Sequence, residues 1–74
     1  MMFEKVLVTG RNEETLLPRV LRILSKQGVQ VRSLHMDTDK EMMHLEICLT
    51  DAAAAQVAKL LSKQVAVLSV DMLA

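Results

Sequence analysis

With 74 residues the chain is long enough for one small domain, and a domain of that size hides only about 60–65% of its unfolded surface, so self-association or a partner is expected. Nine basic and nine acidic residues cancel, which leaves no overall charge to attract nucleic acid or an anionic membrane. The single cysteine, Cys48, excludes an internal disulfide and suits a reducing compartment. No apolar run approaches the roughly 20 residues that span a bilayer and no leader pattern opens the chain, so a cytoplasmic protein is expected.

In chain order, Met2–Thr9 alternates, with Val6 and Val8 on one side and Lys5 and Leu7 on the other, which predicts a first strand. Gly10, Arg11 and Asn12 read as a turn. Leu17, Val20, Leu21 and Leu24, with Leu16 and Ile23 flanking, recur at three- and four-residue spacing and predict an amphipathic helix. Pro18 has no N–H and fits only the first turn, so the helix should start near Glu14 or Thr15, where Glu13 and Glu14 also complement the positive end of its dipole. Gly28, preceded by Lys26, is the expected C-terminal stop.

Val29–Met36 alternates as a second strand, with Val29 and Val31 opposite Gln30 and Arg32, and Asp37-Thr38-Asp39-Lys40 reads as a hairpin loop. In Met42–Thr50 the residues Met43, Leu45, Ile47 and Leu49 alternate with His44, Glu46 and Cys48, so the first set should face the core. Asp51 is the expected N-cap of a second helix over DAAAAQVAKLLSKQ, whose stripe is Ala54, Val57, Ala58, Leu60 and Leu61. Val65–Met72 reads as a last strand, with Val65 and Val67 on one face and Leu68, Val70 and Met72 on the other.

The order βαββαβ predicts a single domain over residues 1–74 of the α+β, ferredoxin-like class, a four-stranded antiparallel sheet with both helices on one face. Its other face is then bare unless a partner covers it, and Leu7, Cys48, Val65 and Val67 are the expected apolar residues there.

The chemical inventory argues against catalysis. His35 and His44 lie on neighbouring strands, but no third and fourth metal ligand arrives at a recognisable spacing, and Cys48 has no identifiable base. The pairs Glu13–Glu14 and Asp37–Asp39 read as solvated loop charges. Six methionines without a C-x-x-C loop read as core filling rather than a soft-metal site. One phenylalanine and no tyrosine or tryptophan cannot form a base-stacking platform. There remains the segment from Gly10 to Thr15, where free N–H groups at a helix start suit a carboxylate; Asn12 fits equally well as a residue that merely caps or turns the chain.

The order N-x-x-x-x-L-x-R-V at Asn12, Leu17, Arg19 and Val20, followed by G-V-x-V-x-S-L at Gly28, Val29, Val31, Ser33 and Leu34, resembles the opening of ACT domains. More closely it resembles the regulatory small subunit of acetolactate synthase, of the short isozyme II type. The resemblance is specific from Met1 to Met36 and only architectural from Asp37 to Ala74. It implies a non-catalytic subunit that forms a homodimer and binds the catalytic large subunit, which would hold thiamine diphosphate, magnesium and FAD, none of them in this chain. It further implies that a branched-chain amino acid effector sits between two subunits at Asn12, Glu14, Thr15 and Leu16 with Gln30 and Val31. The proline and glycine usual at the positions of Glu14 and Thr15 are missing, so a side chain and a negative charge stand where a backbone would approach a ligand carboxylate. Weak or absent valine feedback is the expectation. The alternative is a free-standing ACT-domain amino-acid sensor that serves another enzyme or regulator.

Overall fold

The computed structural model describes residues 2–73, with the side chains of all of them except 51–53 and 73. The elements are β1 (Phe3–Arg11), α1 (Leu16–Gln27), β2 (Val31–Thr38), β3 (Met42–Thr50), α2 (Asp51–Ser62) and β4 (Val67–Leu73). The four strands form one antiparallel sheet in the order β2-β3-β1-β4. Both βαβ units cross over an intervening strand, and right-handed crossovers put α1 and α2 on the same face. This is the ferredoxin-like arrangement expected from the sequence.

Alternation along β1 and β3 builds the core side of the sheet. Val6 and Val8 of β1 and Met43, Leu45, Ile47 and Leu49 of β3 are buried, and they pack against Leu16, Val20 and Leu24 of α1 and Ala54, Val57 and Leu61 of α2. Fully burying an aliphatic side chain contributes roughly 1.5–3 kcal/mol, so these strips hold the layers together.

Gly28 ends α1 as expected, with φ +64°. Its N–H donates to the Ser25 carbonyl at 3.1 Å and that of Val29 to the Leu24 carbonyl at 3.4 Å, a Schellman pair that satisfies two otherwise orphaned carbonyls. Thr15 is the N-cap and Pro18 the third helical residue, within the turn where a missing N–H costs nothing.

Several boundaries and faces differ from the sequence reading. Gly10 and Arg11 belong to β1 rather than to a turn, because β1 continues its ladder with Met43 and Met42 and Arg11 N–H donates to the Ala66 carbonyl at 2.8 Å. Leu16 is central to the core at 1% exposure while Leu21 is 48% exposed, since the stripe of α1 centres on Val20. Val29 belongs to the helix cap and β2 begins at Val31, with a register shift before Ser33 that breaks the expected alternation. Asp37 and Thr38 extend β2, leaving only residues 39–41 as the hairpin loop. The N-cap of α2 is Thr50, not Asp51, and α2 ends at Ser62. β4 starts at Val67 and shifts register against Thr9 and Gly10, so Val67 is buried in the core while Val65 is 84% exposed in the preceding turn. Neither valine therefore lies on the open sheet face.

Candidate functional site

Asn12, Glu14 and Thr15 are exposed on the loop from β1 into α1. Hydrogen bonds fix the path of this loop. Asn12 N–H donates to the Glu41 carbonyl at 2.9 Å, Glu13 N–H to Arg11 at 2.8 Å and Leu16 N–H to Glu13 at 3.1 Å. The Asn12 side-chain amide donates to the Asp39 carbonyl at 2.9 Å, so Asn12 is already engaged in holding the loop against the β2–β3 hairpin. Among the described residues the N–H groups of Glu14 and Thr15 have no such partner, and the Thr15 hydroxyl makes no capping bond. These are the donors a carboxylate would find.

Beside them Thr15, Pro18, Arg19 and Arg22 line a shallow cavity of about 320 Å³. Of these, only Thr15 is expected from the sequence to meet a ligand. The four positions lie on one side of a helix, and that spacing is the signal that places Arg19 and Arg22 along this cavity. Leu16 contributes no side chain here, being buried.

Gln30 and Val31 are elsewhere on the molecule. Val31 pairs with Leu49, which pairs with Glu4, and Arg11 lies seven residues further along β1. At about 3.3 Å per residue this is a separation of about 23 Å. One chain thus holds the two halves of the expected effector site at opposite ends of its sheet.

On the open sheet face a second shallow depression, of about 270 Å³, is bordered by Leu7, Thr9, His35, Asp37, His44 and Glu46. His44 leans toward β1, with Nδ1 3.5 Å from Thr9 Oγ1, and Glu46 pairs with Lys5 at 3.2 Å. The side chains do not converge: no group of three or more His, Cys, Asp or Glu among the described residues is placed to hold a metal ion. Near one end of this face the Arg32 guanidinium carbon lies 5.3 Å from the Phe3 ring centroid, a cation–π contact. Leu7 and Cys48 are half-buried on this face, as expected, but their neighbours are polar. No helix among the described residues is long and apolar enough to cross a membrane.

Asp39 orders the hairpin. Its Oδ1 accepts from Met42 N–H at 2.8 Å and Glu41 N–H at 3.0 Å. These two bonds hold its carboxyl below the usual carboxylate range, with His44 adding a smaller pull in the same direction.

No family model and no curated protein matches the sequence. Solved structures match the fold along almost the whole chain. The ACT domain of GTP pyrophosphokinase from Chlorobium tepidum superposes with a TM-score of 0.85 at 12% identity, covering 97% of both chains. The ligand-free regulatory subunit of aspartate kinase from Thermus thermophilus gives a TM-score of 0.79 at 9% identity, over 97% of this chain and 50% of that one. The C-terminal domain of the MgtC protein from Mycobacterium tuberculosis gives 0.68 at 18% identity, over 96% and 84%. The chain has the ferredoxin-like fold of ACT domains.

Proposed function

We propose that this chain is a non-catalytic regulatory small subunit of acetolactate synthase that binds and activates the catalytic large subunit. What carries the reading is the way the ordered residue set maps onto the fold. Leu17 and Val20 lie on the inner stripe of α1, Gly28 and Val29 make its cap, and Val31, Ser33 and Leu34 open β2. The motif thus marks the strand–loop–helix–strand unit of an ACT-like domain at matching places. The large subunit would hold thiamine diphosphate, magnesium and FAD and would condense pyruvate with pyruvate or 2-oxobutyrate. Docking favours its active arrangement to the extent that this chain binds that state more tightly.

A homodimer fits the same reading. β2 is an edge strand with Val31 and Met36 exposed, and an uncovered edge is a template for pairing. Antiparallel pairing of two β2 edges would set Val31 of one copy beside the hairpin of the other, where Asn12 is anchored. The two halves of the effector site, about 23 Å apart in one chain, would then meet between copies. Glu14 and Thr15 at the loop keep valine feedback weak or absent.

Co-elution tests the main reading. This chain and the purified large subunit from the same source, mixed at micromolar concentration, should leave a sizing column as one complex; separate elution at every concentration would contradict it.

The Thr15–Arg19–Arg22 cavity favours a second reading, a free-standing sensor, because two guanidinium groups beside free N–H donors suit an amino-acid carboxylate. A sensor should gain thermal stability in millimolar valine, leucine or isoleucine through mass action.

A further inference from the structure

The zero net charge of the chain conceals a segregated surface. α1 carries Arg19, Arg22 and Lys26 and no acidic residue. All three are exposed, and at 100° per residue they fall within an arc of about 60° along roughly 10 Å of one flank of the helix. The opposite flank carries Leu17 and Leu21. Lys59 and Lys63 add positive charge at the end of α2. Five of the nine acidic side chains lie elsewhere, Asp37, Glu46 and Asp71 on the open sheet face and Asp39 and Glu41 in the hairpin, while Glu13 and Glu14 stand in the loop before α1 rather than on its flank.

The two faces differ in the sign of the charge left without an ion pair, acidic at Asp37 and Asp71 of the open sheet face and basic at Arg19, Arg22 and Lys26 of α1. On the open sheet face Glu46 has Lys5 and Arg32 has the Phe3 ring. Lys5–Glu46 is the single ion pair among the described residues, and the α1 flank has none. Three unanswered cations in a row, two of them with forks that match a carboxylate, define a complementary partner.

Resting on the small-subunit reading, we infer that this flank of α1, and not the open sheet face, is the surface that docks on the catalytic large subunit, against a cluster of its Asp and Glu side chains. A polyanion is the poorer fit. The chain has one aromatic residue, Phe3, which lies on the open face with Arg32 rather than beside α1, so no base can stack there; the zero net charge also gives no long-range pull on a nucleic acid.

The experiment measures association of the full chain with the purified large subunit at 50 and 400 mM salt. Wild-type affinity should fall about tenfold or more across that range, as expected for exposed charges facing each other within a Debye length. The triple variant Arg19→Glu, Arg22→Glu, Lys26→Glu should lose about a hundredfold or more at 50 mM, while Lys59→Glu, Lys63→Glu should change it by less than about threefold. The Gln triple at positions 19, 22 and 26 should fall between wild type and the Glu triple, and melting curves identify any variant that fails to fold. Tight binding that neither salt nor the two α1 triples alter would overturn the inference while leaving the small-subunit reading intact. Equal losses from the α1 and α2 variants would also overturn it, by making the effect one of net charge. No wild-type binding at either salt would overturn both the inference and the reading beneath it. Wild-type binding to a short RNA that the Glu triple abolishes, without effect on the large subunit, would reassign the flank to a polyanion.

Discussion

Asn12 and Asp39 are 27 residues apart in sequence, yet the Asn12 side-chain amide donates to the Asp39 carbonyl at 2.9 Å. That bond joins the loop leading into α1 to the β2–β3 hairpin. Removing it with Asn12→Ala should lower stability by about 1 kcal/mol, or a Tm fall of roughly 4–8 °C for a domain of this size. Asn12→Asp should cost at least as much, because a carboxylate cannot donate. Thermal unfolding followed by circular dichroism reads both; an unchanged Tm in both would show that the Glu41 and Arg11 backbone bonds hold the loop alone.

Asp39 gives the hairpin a pH dependence whose sign follows from its hydrogen bonds. Its carboxyl is held below the ordinary range by the Met42 and Glu41 N–H groups. The stabilisation is present above the unfolded carboxylate value and is lost as pH falls through the lower folded value. Denaturant midpoints measured from pH 6 down to pH 2 should therefore decline less steeply in Asp39→Asn than in wild type. Parallel curves would contradict the assignment.

The two glycines should fail for different reasons. A Cβ at Gly10 would stand 2.7 Å from the Ala66 carbonyl oxygen and 2.7 Å from Leu16 Cδ2, and the Ala66 oxygen is fixed by accepting from Arg11. Gly10→Ala should cost about 1–3 kcal/mol as overpacking. Gly28 has open space around it but φ +64°, so Gly28→Ala should cost about 1 kcal/mol and Gly28→Asn less, since asparagine tolerates that conformation. Chemical denaturation of the three variants distinguishes the mechanisms.

Leu16 lies within the stripe that α1 buries and Leu21 outside it. Leu16→Ala should destabilise by roughly 2–5 kcal/mol, as expected for a fully buried leucine. Leu21→Glu should leave the melting of the single chain within about 0.5 kcal/mol. If the proposed dimer forms along α1 and β2, where Leu21 and Met36 are exposed, Leu21→Glu should also raise the dimer dissociation constant, which sedimentation equilibrium measures. A dimer indifferent to Leu21→Glu would place the interface elsewhere.

Strand and helix order was legible because the two periodicities dominate the chain: Val6–Val8 and Met43–Leu49 alternate cleanly, and Gly28 stops α1 where a left-handed residue is needed. Bulges were not legible. The register shifts between Val31 and Ser33 and beside Gly10 reverse the local alternation; the one beside Gly10 turns Val67 into the core, whereas Val65 falls in the turn because β4 starts only at Val67. The skipped residues Arg32 and Leu68 each sit between a valine and a serine, a local pattern that does not distinguish a bulge from a regular strand. At the candidate site the loop Asn12–Thr15 was visible as a helix start. The engagement of Asn12 by Asp39 was not, because it depends on a hairpin far along the chain. Cancelling charges likewise obscured the basic flank of α1, which appears once Arg19, Arg22 and Lys26 are placed on a helix.

The most direct test of the proposed function is acetolactate formation by the purified large subunit, with and without saturating amounts of this chain, and then with valine. The expected result is a large rise in activity that valine leaves nearly unchanged. Activation abolished by valine would contradict the role given to Glu14 and Thr15. No activation at saturation would contradict the role of a regulatory small subunit and favour the free-standing sensor.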